Sequence, residues 1–136
     1  MTRRRLYLAL LGVWLTLLIT LTSIPDPDFG EGFPGMDKVA HFGFYGVAGF
    51  LSALWRRESG RGTKGSAVFA VVLVAFLGAA DEIHQRWIPG RSMDLLDWVA
   101  DIAGGVAGAL SSSAAVSLFP SLLTTENQPA PRAVTD

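Results

Sequence analysis

The stretch SAVFAVVLVAFLGAADEIHQ, Ser66 to Gln85, carries no charge until Asp81 and then sets Asp81, Glu82, His84 and Gln85 together at its end. A run of about 20 residues is too long for a strand, and as a helix it spans about 30 Å, the thickness of a bilayer core. A helix satisfies its own backbone in lipid, whereas an isolated strand cannot. The spacing therefore predicts a membrane helix that is apolar through most of its length and polar at one end.

Three further stretches read the same way. Residues 6–24 are mostly leucine, with Gly12, Trp14 and Thr16, Thr20 and Thr22. Residues 38–55 form a shorter span, and residues 95–119 a Gly/Ala/Ser-rich one that Pro120 stops. The first span follows Arg3-Arg4-Arg5 in the manner of a signal peptide, but no Ala-x-Ala site follows it, so it is read as a retained anchor. Half of the 136 residues are hydrophobic and 17% are charged, against about 25% in soluble domains. A soluble chain this small could not hide four such stretches. The expected fold is all-α: a polytopic four-transmembrane-helix bundle, multi-pass in the cell membrane. Residues 1–5 are expected as a cytoplasmic N-terminus, 6–122 as the membrane domain, and 123–136 as a disordered cytoplasmic tail.

Loop charge orients the bundle. The N-terminus holds three arginines, and the loop from Pro25 to Asp37 holds Asp26, Asp28, Glu31 and Asp37 with no base. The next loop holds Arg56, Arg57, Arg61 and Lys64 against Glu58 alone. Short cytoplasmic segments collect Lys and Arg, so both termini are expected inside. Tyr7 and Trp55 then fall at the inner interface, and Trp87 and Trp98 near the outer one. Other classes drop out by composition. The absence of cysteine removes disulfides and thiolate chemistry, and a net charge of -1 argues against nucleic acid as a partner.

This topology brings the polar residues to one depth. Asp37, Lys38 and His41 start the second span, Asp81 to Gln85 end the third, and Arg91, Asp94, Asp97 and Asp101 straddle the start of the fourth. Asp37 and His41 share a face at i,i+4, as do Asp81, His84 and Gln85, while Glu82 points about 100° away. Asp94, Asp97 and Asp101 form a stripe that Gly104, Gly108 and Ser112 continue. An intramembrane Asp costs about 2.5–3.5 kcal/mol at a helix centre, so Asp81 and Asp101 are expected to face inward, either paired with Lys38, Arg86 or Arg91 or partly protonated. Gly104 and Gly108 make a Gly-x-x-x-Gly step that suits close approach of another helix, including one from a second copy in a homodimer.

The chemistry carries more than one reading. Lys38 and Arg91, with Gln85, suit an anion such as a phosphate or carboxylate. Asp81, Glu82, His84, Asp94 and Asp97, with His41, offer oxygen and imidazole ligands to a divalent cation such as Mg, Mn or Zn. His41 or His84 would then be a general base, and His41, His84 and Asp81 are the candidate catalytic groups. Alternatively His41, Asp81 and Asp101 form a purely structural network.

The motifs also resemble a known family. Asp37-Lys38-Val39-Ala40-His41-Phe42 is similar to the D-K-x-x-H-F signature of the VanZ-like membrane proteins. Asp81-Glu82-Ile83-His84-Gln85, followed by Pro89-Gly90-Arg91, Asp94, Asp97, Gly104 and Gly108, resembles their second signature. The resemblance spans about residues 6 to 115. It departs from the expected pattern at Asp101, where the family carries Asn. It implies membrane location and, for the founding member, low-level teicoplanin resistance, without implying a reaction. The expected function is binding or modification of an anionic envelope lipid or lipid-linked cell-wall precursor at the outer leaflet, linked to glycopeptide resistance. The alternatives are a metal-dependent phosphoester or acyl ester enzyme, an ion-coupled transporter, and a structural or assembly factor.

Overall fold

The computed structural model describes residues 1–25 and 34–128. Among them lie four long helices, α1 (Arg3–Thr22), α2 (Met36–Glu58), α3 (Thr63–Gln85) and α4 (Leu95–Leu118), and no strand. Two short 3₁₀ turns, Pro120–Leu122 and Thr125–Asn127, follow α4. The acidic residues Asp26, Asp28 and Glu31 of the first loop lie outside the described residues.

Local signals set the ends. Thr2 caps α1 through its hydroxyl, and Asp94 caps α4 by accepting from Leu96 N at 2.8 Å. Gly60 and Gly90 take φ of 79° and 78° and turn the chain after α2 and α3, a conformation that strains any side chain bearing Cβ. The helices overrun the expected spans at their charged ends, taking in Arg3 to Arg5, Arg56 to Glu58 and Thr63 to Gly65. Backbone hydrogen bonding does not stop where hydropathy does, and long basic side chains reach away from an apolar belt.

α1, α3 and α4 are each long and apolar enough to cross a membrane. α2 is of similar length, 23 residues, but has charges at both ends and glycines between them. It occupies the middle of the bundle. Its glycines meet those of α4: a Cβ on Gly104 would overlap Phe42 O, one on Gly108 would overlap Gly46 O, and one on Gly49 would lie 2.6 Å from Gly105 O. The Gly104/Gly108 step, expected to admit another helix of this chain or of a second copy, packs on α2 of the same chain. α3 runs back along both: Ala70 packs with Ala53 and Ala109, and Trp98 Nε1 donates to Ala75 O at 2.8 Å. α1 lies against α2, where Trp14 Nε1 donates to Phe44 O at 2.9 Å. Neighbouring helices alternate in direction, so the end of α1, the start of α2, the end of α3 and the start of α4 share one end of the bundle.

The opposite end is closed by the segment after α4. Leu123 is fully buried with Tyr7, Leu54 and Val116. Tyr7 donates to Leu122 O at 2.5 Å, Arg3 Nη1 donates to Leu123 O at 2.6 Å, and Thr124 N donates to Glu58 Oε2 at 2.9 Å. Asn127 Nδ2 reaches Glu58 O at 3.0 Å. The expected disordered tail is therefore ordered as far as Gln128, because Leu123 fills a hole in the core and its flanking backbone groups find partners. Residues 129–136 of that tail lie outside the described residues. Tyr7, expected at an interface, is buried by the same contact.

Much of the remaining apolar surface faces outward. Val68, Val72 and Phe76 line one face of α3 at i,i+4 spacing and are each more than 60% exposed. An apolar stripe of this length on a soluble surface would be a liability; in a membrane it faces lipid.

Candidate functional site

The predicted polar residues meet at the shared end of the bundle, in three connected groups. The first surrounds Lys38. Its ammonium lies 3.0 Å from Asp37, 2.9 Å from Asp94 and 3.0 Å from Asp97. It joins the first turn of α2 to that of α4 and holds the Asp94 carboxyl below the usual carboxylate range, helped by the Leu96 amide. Three carboxylates around one ammonium leave it no net positive charge to offer, so Lys38 is not the anion-binding cation expected from its residue type.

The second group is buried deeper. His41 Nδ1 lies 2.8 Å from Asp101 Oδ1, and Asp101 is fully buried. Asp101 fits because its neighbour on α3 is a glycine: a Cβ on Gly78 would sit 2.5 Å from Asp101 Oδ2. Asp101 was expected to pair with Lys38, Arg86 or Arg91; a histidine on the adjacent helix takes that place. The His41 ring stacks on Tyr45 with centroids 6.2 Å apart.

The third group divides Asp81 from Glu82. One residue step rotates a helical side chain by about 100°, and here it sends the two carboxylates to different neighbours. Asp81 turns to α1, accepting from Thr22 Oγ1 at 2.6 Å and from Gln85 Nε2 at 3.1 Å. Gln85 Oε1 in turn accepts from Arg91 Nε at 3.2 Å. Glu82 turns to α4, where its Oε2 accepts from the Asp94 amide at 2.7 Å. Its other oxygen, Oε1, is buried without a partner among the described residues. Among the described residues Asp81 finds no basic partner; hydroxyl and amide donors serve it instead.

Two sets of side chains are spaced to hold a cation. His41, Glu82 and Asp97 each bring a ligand atom within 4.8 Å of the others, as do Asp37, Asp94 and Asp97. The second set already encloses the Lys38 ammonium. The expected ligand set of Asp81, Glu82, His84, Asp94 and Asp97 with His41 is thus narrowed: Asp81 faces α1, and His84 stands apart, its Nδ1 buried without a partner among the described residues. His41 is the imidazole that joins Glu82 and Asp97, because α2 packs closely on α4.

A cleft of about 80 Å³ opens between α1 and α2 beside this cluster. Arg91, His41, Asp37, Thr22 and Tyr45 line it along with Leu18, Leu21 and Phe44. Sequence reasoning missed Thr22 and Tyr45. Thr22 is the last polar residue of an otherwise leucine-rich helix, and that position was its only signal.

No curated protein and no solved structure matches the chain. The model of the family described as VanZ/LLP1 matches residues 5–118, a stretch containing nearly all of α1 to α4 and every residue of the polar cluster. The chain is a membrane protein that belongs to the VanZ/LLP1 family.

Proposed function

We propose that all four helices cross the cell membrane with both termini in the cytoplasm, and that the cleft between α1 and α2 holds the headgroup of an anionic envelope lipid or lipid-linked cell-wall precursor at the outer leaflet. The basic loop between α2 and α3, with Arg56, Arg57, Arg61 and Lys64, supports this orientation. α2 is less apolar than the others because its polar end is shielded by α1 and α4 and its glycine face by α4.

The observation that carries the reading is the composition of the cleft. Its lining divides into polar Arg91, His41, Tyr45, Thr22 and Asp37 and apolar Leu18, Leu21, Ala40 and Phe44. That division suits a molecule with an anionic head and an apolar chain. Its volume admits several waters, the scale of a phosphate group rather than of a bulky antibiotic. Among the described residues Lys38 is held by three carboxylates, whereas Arg91 forms no ion pair and keeps most of its guanidinium donors for a ligand. A link to glycopeptide resistance would run through the lipid-linked precursor.

Native mass spectrometry of the detergent-purified protein tests this with phosphatidylglycerol and phosphatidylcholine as probes. The wild type is expected to retain phosphatidylglycerol selectively, and Arg91→Gln to weaken that retention about tenfold or more, since a charged hydrogen bond contributes about 1.5–3 kcal/mol. Equal retention of both lipids, or an Arg91→Gln variant that binds like the wild type, contradicts the reading. A folded Arg91→Gln protein that has lost the lipid separates ligand binding from a purely structural network.

A further inference from the structure

We infer that His41, Glu82 and Asp97 form a binding site for one divalent transition-metal ion, with Asp101 orienting the histidine. The inference goes beyond the lipid reading and stands without it.

The three residues come from three helices, α2, α3 and α4, and all are buried. Their ligand atoms lie within 4.8 Å of one another, a separation that donors around a single ion take up with small rotamer changes. The second observation is Glu82 itself. It is 3% exposed, and its Oε1 has no hydrogen-bond partner among the described residues while Oε2 accepts from the Asp94 amide. A buried carboxylate oxygen with nothing to accept from is costly, and a cation supplies what it lacks. The histidine is prepared in the way metal ligands are. Asp101 engages Nδ1 at 2.8 Å, which fixes the ring and leaves Nε2 as the ligand atom. The neighbouring Asp37–Asp94–Asp97 set has no such need, because Lys38 Nζ already lies within 3.0 Å of all three.

Donor chemistry narrows the ion. One imidazole and two carboxylates suit Mn²⁺ or Zn²⁺ better than Ca²⁺ or Mg²⁺, which take oxygen ligands alone. Three protein ligands leave coordination positions for water or a ligand oxygen. The Asp101 carboxylate also makes the imidazole a stronger donor than an amide at that position would.

The test uses Mn²⁺ alone, added to full-length protein purified in detergent with chelator, and reads bound manganese by electron paramagnetic resonance. The wild type is expected to bind about one equivalent, with nitrogen modulation in the spin-echo spectrum from a coordinated imidazole. His84→Gln is expected to keep both signals. His41→Gln is expected to lose the nitrogen modulation, and Glu82→Gln to weaken binding by at least about tenfold with helicity unchanged. Binding below about 0.1 equivalent, absence of nitrogen modulation in the wild type, or its loss in His84→Gln overturns the site. If Glu82→Gln does not fold, the wild-type and His84→Gln spectra decide. Uptake of Mn²⁺ by the Arg91→Gln protein keeps this outcome distinct from that of the lipid experiment.

Discussion

Gly108→Ala is expected to strip the protein from the membrane fraction, while Gly43→Ala accumulates as the wild type does. The added methyl of Gly108→Ala would fall on the Gly46 carbonyl oxygen and within 2.8 Å of Phe50 N. Both obstacles are backbone, so no side-chain rotation relieves them. The neighbouring contacts are equally close: Gly105 meets Val74 Cγ1 at 2.7 Å from a built Cβ, and Gly49 meets the Gly105 carbonyl. α2 could retreat from α4 only by opening the whole seam, including the Lys38 and His41 contacts at its polar end. Overpacking typically costs about 1–3 kcal/mol and more where the surroundings cannot shift, which places this substitution at the upper end. Gly43 has nothing within 4 Å of a built Cβ and reports the cost of the methyl alone. Thermal unfolding of the two proteins in detergent, alongside their yields, measures the difference. Equal stability of both would mean that α2 and α4 do not pack through this face.

Asp101→Ala has the second large expected effect. Asp101 is fully buried, and its carboxylate is the partner of a histidine that is itself 7% exposed. Removing the acceptor strands a buried imidazole N–H, a loss of about 1–3 kcal/mol and more for a charged group. Asp101→Asn keeps an oxygen acceptor for the imidazole in nearly the same volume and is expected to lose much less. Chemical denaturation in detergent separates the two. If the alanine and asparagine variants unfold alike, the His41–Asp101 contact is not what holds this region. The same comparison bears on why this chain carries Asp where the family resemblance leads one to expect Asn.

Helical spacing carried a good part of the architecture. The i,i+4 relation of Asp81 and Gln85 is realised as a hydrogen bond, and the stripe of Asp94, Asp97 and Asp101 does face its neighbours over the glycines that continue it. Spacing says which side chains share a face. It does not say which helix that face meets, because the rotation of each helix is set by packing across the bundle. Spacing therefore does not reveal that Asp37, Asp94 and Asp97 together hold Lys38, or that Thr22 on α1 serves Asp81. Spacing offers both histidines, and only packing decides that His41 joins the cluster while His84 stands apart. The tail was illegible for another reason: composition marks it as polar and proline-bearing, and only the vacancy between Tyr7, Leu54 and Val116 makes Leu123 a core residue.

The lipid reading depends on the polar end of the bundle facing away from the cytoplasm. The chain contains no cysteine, so one introduced thiol reports without background. Ser92→Cys, on the exposed turn between α3 and α4, is expected to react with a membrane-impermeant maleimide in intact cells. Thr63→Cys, on the exposed start of α3 at the other end, is expected to react only after the cells are permeabilised. The reverse pattern would put the cluster on the cytoplasmic side and contradict an outer-leaflet ligand.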